Sequence, residues 1–239
     1  MCNIYLIRHG FTPANNASYN GQKGLREIAE DKDMPLEIKY GRKQAEEVGV
    51  FLRNIKGKIL VLTSPYRRVQ ETMQIALSRV NFNYDLKICD ELKEINSGVH
   101  YARTKEELLK LYPEAKEVLD SLHKDLFGTR YLNGESQYDV RDRVKNISLE
   151  IKKIMGSKEY DNIIIFGHGT VNRWLSYWIT GKYIDHTLKN GEIIKIIEDD
   201  YETVFLPISF VPLGYMVDIE KHKELLKRKK LDKFTIQMI

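Results

Sequence analysis

The sequence of 239 residues has only two cysteines, no long apolar run and little net charge. Its two cysteines, Cys2 and Cys89, match neither a disulfide framework nor a paired zinc-ligand spacing. No apolar run approaches the roughly 20 residues that a membrane-spanning helix needs. The net charge is only +4, without a broad basic face interleaved with aromatic residues. These absences argue against a disulfide-rich secreted protein, a membrane-spanning protein and a nucleic-acid-binding protein.

The small positive excess is concentrated near the C-terminal end. Residues 218–239 contain seven Lys or Arg and four Asp or Glu, including the run Lys227-Arg228-Lys229-Lys230. We interpret this basic tail as a solvated helix end, with protein or membrane docking as the alternative. Met1 leads directly into an apolar run, with no charged leader and no small-residue cleavage site. We therefore expect a cytoplasmic protein, and the pattern favours no particular oligomeric state.

Short apolar runs alternate with longer helical patterns along the chain. The short runs are rich in Ile, Val and Leu on both faces, which predicts strands covered on both sides, as in a largely parallel sheet. The predicted strands are Asn3–Ile7, Lys58–Leu62, Leu86–Cys89, Asn162–Phe166 and Ile193–Ile197. The predicted helices are Gly41–Ile55, Pro65–Val80, Thr104–Leu122, Ser136–Met155 and Thr170–Thr180. This order predicts an α/β fold, a three-layer sandwich with a mostly parallel central sheet and helices on both faces.

Helix starts are marked at two places. Ser64 followed by Pro65 suits an N-cap and a first helical position. Thr104 with Glu107 has the spacing of a capping box. Both pairs predict where a helix begins.

Two segments interrupt the strand–helix rhythm. Residues 11–40 are polar and rich in Asn and Gly, and residues 95–135 mix helical and irregular sequence. Long insertions of this kind in a compact domain are usually lids or disordered stretches. We expect one domain over residues 1–239, with these two segments as a small cap and residues 218–239 as the basic tail.

Three polar clusters directly follow predicted strands, where an open α/β sheet places its ligand sites. They are Arg8-His9-Gly10, Ser64 to Arg68, and Gly167-His168-Gly169. A single histidine at a strand end is ordinarily a packing residue, but packing alone does not readily explain two at equivalent ends. Arg67 and Arg68 in the first turn of a helix oppose the helix dipole, so a bound anion would offset a cost there.

These residue types suit phosphoryl transfer. Guanidinium groups are forked donors matched to phosphate oxygens, and they would stabilise the charge spread over the transferred group. A neutral imidazole is a nitrogen nucleophile that needs no metal near neutral pH. A carboxylic acid such as Glu94, in the loop after Cys89, can protonate the departing alkoxide.

The sequence resembles the histidine phosphatase superfamily, the phosphoglycerate-mutase-like group, from about residue 3 to residue 197. Its motifs occur in the family's order: Arg8-His9-Gly10-Phe11-Thr12 with Asn15; Pro35-Leu36 with Gly41, Gln44 and Ala45; Ser64-Pro65 through Arg68 with Thr72; Leu92, Glu94 and Gly98; Gly134-Glu135-Ser136 with Asp139 and Arg143; and Gly167-His168-Gly169 with Arg173. The resemblance implies that His9 is the phosphoryl-accepting nucleophile, Glu94 the proton donor and His168 a further catalytic residue. The residues implied to bind the phosphate are Arg8, Arg68, Asn15 and Gly169. It also implies a small phosphorylated substrate, no metal and no cofactor.

The family pattern is broken at two places near the acid. Phe11 stands where the family often has Glu, and His100-Tyr101-Ala102 stands where many members carry an aromatic-acidic-glycine run. Other carboxylates are therefore alternatives for the acid: Glu91, Glu106, Glu107 and Glu135. The last of these is equally well interpreted as a structural residue at a helix start. Aromatic residues that are candidates for the cavity wall are Tyr66, Tyr101, Trp174 and Trp178, of which the two Trp also suit core packing.

We predict hydrolysis of a phosphomonoester, with three alternatives. A phosphomutase is less favoured, because residues 95–112 lack the distinctive mutase stretch. Cys2 and Arg8 have the C-x5-R spacing of cysteine phosphatases, but the apolar strand between them has no glycine to form a phosphate cradle. A non-catalytic phospholigand-binding protein on the same fold would require that no carboxylate reaches the pocket.

Overall fold

The computed structural model describes residues 2–204, 206 and 208–229, in which six strands form one sheet. The strands are β1 (Asn3–Arg8), β2 (Ile59–Thr63), β3 (Tyr84–Ile88), β4 (Asn162–Gly167), β5 (Ile193–Ile197) and β6 (Asp200–Val204). Their order across the sheet is β3-β2-β4-β1-β5-β6. The first four in this order are parallel, and β5 and β6 are antiparallel to their neighbours. The predicted mostly parallel α/β sheet is confirmed.

Helices cover both faces of the sheet. Those of the described residues are α1 (Asn15–Tyr19), α2 (Tyr40–Leu52), α3 (Arg67–Leu77), α4 (Lys105–Leu111), α5 (Ala115–Leu122), α6 (Gln137–Ser157), α7 (Gly169–Thr180) and α8 (Ile219–Lys229). In β4, Ile163 and Ile165 face the core shared with α6 and α7, whereas Ile164 and Phe166 face the core shared with α2 and α3. Continuous apolarity in the strand therefore reflects burial on both sides.

All five predicted helices differ from the observed ones in their boundaries, and two of them differ most. The segment Thr104–Leu122 is two helices, because Pro113 disfavours the helical conformation of the residue before it. The predicted capping box of Thr104 and Glu107 is present at the start of α4. Ser64 is not an N-cap, since α3 begins at Arg67.

The last strand, β6, was missed by the sequence analysis. It is an edge strand with exposed and half-buried positions, so it lacks the apolar run that marks β1 or β4. It pairs with β5 through a register in which Ile193 lies opposite Val204. The sheet is therefore extended by an antiparallel hairpin beyond β1.

The segment of residues 11–40 packs against the start of the basic tail. In α8, Ile219 and Leu226 pack against the apolar cluster that contains Leu25, and Lys223 forms an ion pair with Glu27. The expected solvated tail is thus partly docked, while residues 230–239 lie outside the described part of the chain. Across the described residues, no helix has both the length and the apolar character needed to cross a membrane.

Candidate active site

The carboxyl ends of three neighbouring parallel strands bring the predicted clusters together. Arg8 is the last residue of β1 and His9 follows it, while Ser64 follows β2 and His168 follows β4. The rings of His9 and His168 meet edge to face, with centroids 5.2 Å apart. Two histidines 159 positions apart in the chain therefore share one site.

His9 is held as a neutral imidazole with a defined proton position. Its Nδ1 lies 2.7 Å from the carbonyl oxygen of Gly10, and because a carbonyl only accepts, Nδ1 donates the hydrogen. Burial, together with the nearby Arg68 and Arg8, lowers the pKa of His9 well below its ordinary value. The lone pair is therefore on Nε2, where a nucleophile needs it.

Gly10 is required by the close approach of another backbone. A Cβ at this position would lie 2.4 Å from the carbonyl oxygen of Gly41, at the start of α2. The Gly10 amide donates to Thr72 Oγ1 at 3.1 Å, and that hydroxyl donates to the Arg68 carbonyl oxygen at 2.7 Å. The turn that carries His9 is thus tied to the helix that carries Arg68.

His168 is completely buried beside His9. Its Nε2 is 3.0 Å from Ser64 Oγ, and its ring meets the Tyr66 ring at a centroid distance of 5.4 Å. Burial lowers the pKa of His168 well below its ordinary value, reinforced by Arg68. Its Nδ1 has no partner among the described residues, and His168 is not part of the pocket wall.

The two predicted phosphate-binding arginines reach the same site. Arg68 is buried, and its Nη1 donates to the backbone oxygen of Asp31 at 2.7 Å and to Asp31 Oδ1 at 2.9 Å. Arg8 donates through Nη1 to the carbonyl oxygen of Leu188, while its Nε is buried without a partner among the described residues. Gly169, the first residue of α7, adjoins Arg8, since a Cβ there would lie 3.6 Å from Arg8 Nε.

A pocket of about 320 Å³ opens above these strand ends. Arg8, His9 and Arg68 lie on its wall, together with Asn15 from the 11–40 segment and Tyr101 from the 95–135 segment. Both inserted segments therefore contribute to it, as a cap would. Asn15 is fixed in place because its Oδ1 accepts hydrogen bonds from the Thr12 amide and hydroxyl at 3.0 and 2.9 Å.

Glu94 is the predicted acid, and it lies on the pocket wall. Its Oε1 accepts from the Ile95 amide at 2.9 Å, and its Oε2 lies 3.4 Å from the Thr170 amide in the first turn of α7. Arg143 of α6 fixes the backbone of this loop, donating to the carbonyl oxygen of Lys93 at 2.9 Å. Glu94 is thus brought to the same cavity as His9.

The four alternative acids lie elsewhere and are not part of the pocket wall. Glu107 accepts from Thr104 as part of the α4 cap, and Glu106 pairs with Lys23. Glu135 pairs with Arg143 at 3.2 Å, in keeping with the structural interpretation. Glu91 is exposed and does not line the cavity.

Of the four candidate aromatic residues, Tyr101 alone is on the pocket wall. Trp174 is buried against Phe127 and Tyr183, which supports its packing role. Trp178 packs partly buried against the same core and donates to a backbone carbonyl of α6. Tyr66 packs against Arg68, and the Arg68 guanidinium carbon lies 4.9 Å from the centre of the Tyr66 ring.

The sequence model of the histidine phosphatase superfamily (branch 1) matches residues 4–206. The chain belongs to this superfamily. A solved alpha-ribazole phosphatase from Shigella flexneri superposes with a TM-score of 0.65 and 24% identity, covering 87% of this chain and 96% of the other. A mycobacterial glucosyl-3-phosphoglycerate phosphatase gives a TM-score of 0.60 and 18% identity, covering 81% and 89%. At these identities the two structures establish the shared fold alone.

One curated relative of this superfamily member is a Schizosaccharomyces pombe protein named as a 6-phosphofructo-2-kinase. It is 29% identical over 115 residues, which are 47% of this chain. The chain spans only 16% of the length of that protein. The match therefore concerns one segment of a much longer protein.

Asp31 is a pocket residue that the sequence analysis did not single out. It begins the 3₁₀ turn Asp31–Asp33, and it is a second carboxylate on the pocket wall in addition to Glu94. Burial raises the pKa of its carboxyl group, and the ion pair with Arg68 opposes that rise. Across the described part of this histidine phosphatase, no cluster of three His, Cys, Asp or Glu has the arrangement of a metal site.

The two buried histidines predict a loss of stability as the pH falls. In the unfolded chain each imidazole binds a proton near its ordinary pKa of 6.5, whereas the fold keeps both neutral well below that pH. The unfolded state then binds more protons, so the free energy of unfolding falls as the pH drops below 6.5. Between pH 7.5 and 5.5 we expect a loss on the order of 1 kcal/mol for each histidine, measured by urea unfolding in phosphate-free buffer.

Variants separate this effect from other titrations. In His168→Asn, the contribution of one histidine to the pH dependence should disappear. The matched variant His123→Asn changes an exposed histidine and should retain the wild-type pH dependence. A free energy of unfolding that is constant across this window in the wild type would contradict the buried neutral state.

Proposed function

We propose that this protein is a metal-independent phosphomonoesterase that works through a phosphohistidine on His9. His9 Nε2 attacks the phosphorus atom, forming a P–N bond as the bond from phosphorus to the ester oxygen breaks. Glu94 gives its proton to the departing alkoxide. Water then attacks the phosphorus and loses a proton to Glu94, the P–N bond breaks, and phosphate leaves with His9 neutral again.

The observation that carries the proposal is the state of His9. The Gly10 carbonyl fixes the proton on Nδ1, and Arg8 and Arg68 approach closely enough to lower the pKa of the ring. The same guanidinium groups would stabilise the charge of a transferred phosphoryl group. Burial, reinforced by these two cations, thus keeps the nucleophile neutral, and the same cations would bind the anion that it attacks.

The surrounding groups have supporting roles in this proposal. His168 would stabilise the transferred phosphoryl group next to His9, and Gly169 and Asn15 would complete the phosphate site. The names of the structural relatives, which include two phosphatases, support hydrolysis. They also favour a phosphatase over the alternative phosphomutase.

The alternative proposals find less support in the geometry. Cys2 and Arg8 stand at opposite ends of β1, about 20 Å apart along an extended strand. Burial also raises the pKa of the Cys2 thiol, which disfavours the thiolate. A non-catalytic binding protein would leave the position of Glu94 on the pocket wall without a role.

Rapid-quench hydrolysis of 4-nitrophenyl phosphate tests the proposal. We expect a burst of nitrophenol release and a phosphoprotein that is labile in acid and stable in base, as a phosphohistidine is. No turnover, combined with tight binding of inorganic phosphate, would instead favour the binding protein. A phosphoprotein that transfers its group to an added alcohol in preference to water would favour the mutase.

Replacing Arg68 by Lys should weaken binding of the phosphate group. An ammonium keeps the charge but loses the planar fork, and charge-assisted hydrogen bonds contribute about 1.5–3 kcal/mol. We therefore expect the inhibition constant of inorganic phosphate to rise about tenfold or more. The control Arg67→Lys alters the neighbouring arginine, which pairs with Glu71 at 2.9 Å, and should leave that constant unchanged. The reverse outcome would mean that Arg67 is the phosphate ligand.

A further inference from the structure

The pocket wall has few cations to bind a substrate that carries two anionic groups. Within the described residues, the wall carries two cations, Arg8 and Arg68, and two carboxylates, Asp31 and Glu94. Both guanidinium groups influence His9, so a phosphate that reacts with His9 occupies them. A second anionic group on the substrate has no further wall cation to bind.

Two further cations on the cap lie outside the pocket wall. Lys23 and Arg26 belong to the 11–40 segment but are not on the pocket wall. Lys23 pairs with Glu106 at 2.5 Å and Arg26 pairs with Glu30 at 3.0 Å. Each is paired with a carboxylate outside the cavity, and Arg26 also lies 5.7 Å from the ring centre of the wall residue Tyr101.

Asp31 is a pocket residue that is bound directly by Arg68. Arg68 Nη1 holds both the backbone oxygen and Oδ1 of Asp31, at 2.7 and 2.9 Å. Because the proposed function places the reacting phosphate on Arg68, we expect the Asp31 carboxylate to lie close to the first atoms of the alcohol part. Like charges brought together in a partly buried site repel each other strongly.

We propose that Asp31 is a specificity-determining residue that restricts the pocket to phosphomonoesters whose alcohol part carries no second anionic group. The inference rests on the proposed phosphatase function and names its substrate class, the monophosphates of neutral alcohols such as polyols, sugars and nucleosides. Tyr101 lines the same pocket, and its buried hydroxyl has no partner among the described residues, so a substrate hydroxyl could supply that partner.

A matched pair of esters tests the proposal. Glycerol 3-phosphate and 3-phosphoglycerate have the same primary leaving alcohol and differ only in a CH2OH group against a carboxylate. We expect the wild type to prefer glycerol 3-phosphate by at least about tenfold in kcat/KM. Asp31→Asn, which keeps an oxygen for Arg68, should reduce this preference about tenfold. Because both esters have the same phosphate and the same leaving alcohol, any general effect of Asp31 on phosphate binding or on protonation of the leaving group cancels in the ratio of their kcat/KM values.

Two control variants isolate the charge of Asp31. Asp33→Asn removes the same charge from an exposed position in the same turn and should retain the wild-type preference. Asp31→Glu keeps a carboxylate and should also retain it. A wild type that prefers 3-phosphoglycerate, or an Asp31→Asn variant with an unchanged preference, would overturn the proposal.

Turnover of 4-nitrophenyl phosphate in the same series keeps the two proposals apart. If that ester is hydrolysed and the preference is insensitive to Asp31, the specificity inference fails and the phosphatase proposal stands. If no ester is hydrolysed, the phosphatase proposal fails. The ratio of the dissociation constants of the two esters, measured by calorimetry with and without Asp31→Asn, then decides the role of Asp31.

Discussion

Replacing His9 by Ala is expected to lower the release of phosphate from 4-nitrophenyl phosphate by about 10⁴-fold or more, since the variant loses the atom that accepts the phosphoryl group. The acid-labile phosphoprotein should disappear at the same time. The fold should survive, because the backbone of His9 keeps its hydrogen bond to the Gly167 carbonyl oxygen, 3.1 Å away. Circular dichroism and urea unfolding establish that survival, and stopped-flow absorbance measures the rate.

Two further variants make this result specific to His9. His123→Ala removes an exposed histidine at the end of α5 and should leave the rate unchanged. Cys2→Ser should also leave it unchanged, because β1 separates Cys2 from Arg8. A His9→Ala protein that retains the rate, together with an inactive Cys2→Ser protein, would move the nucleophile to the thiol.

The His9→Ala result should also appear in the stability of the protein. The wild type keeps a neutral imidazole near two guanidinium groups, and burial is the main cause of that state. The variant has no such group to protonate, so its free energy of unfolding should fall less between pH 7.5 and 5.5. Loss of activity combined with a weaker acid dependence would link the chemistry and the stability to the same side chain.

The parts of the fold that the sequence predicted well are those fixed by local pattern. β4 is apolar at successive positions because both of its faces are buried, and this is visible without coordinates. β6 could not be distinguished in the same way, because Asp200, Glu202 and Thr203 leave it without an apolar run. The start of α3 was misplaced because Ser64 binds His168 across the sheet instead of capping the helix.

In the candidate site, too, residues marked by local sequence were predicted, whereas a residue placed by a long-range contact was not. His9 and His168 were identifiable because each directly follows a strand, and parallel strands end at one edge. Asp31 was missed because its contact with Arg68 spans 37 positions and depends on how the 11–40 segment folds over the pocket. No local pattern distinguishes Asp31 from Asp33, yet only the first reaches the cavity wall.

Glu94→Gln should affect substrates according to how much their leaving group needs a proton. An alkoxide is a poor leaving group without protonation, so we expect hydrolysis of glycerol 3-phosphate to slow by about 10²–10⁴-fold. Nitrophenolate leaves as a stable anion, so the burst with 4-nitrophenyl phosphate should be nearly unchanged. Glu91→Gln, an exposed neighbour in the same loop, is the matched control and should spare both substrates.

The pattern across the two substrates assigns the proton donor. Equal losses on both esters in Glu94→Gln would mean that the carboxylate supports the pocket without donating a proton. Asp31 is the other carboxylate on the wall, so a selective loss on glycerol 3-phosphate in Asp31→Asn but not in Glu94→Gln would transfer the acid role to it. We expect Glu94 to be the proton donor, because the loop bound by Arg143 holds it near the start of α7. Asp31, in contrast, forms an ion pair with Arg68.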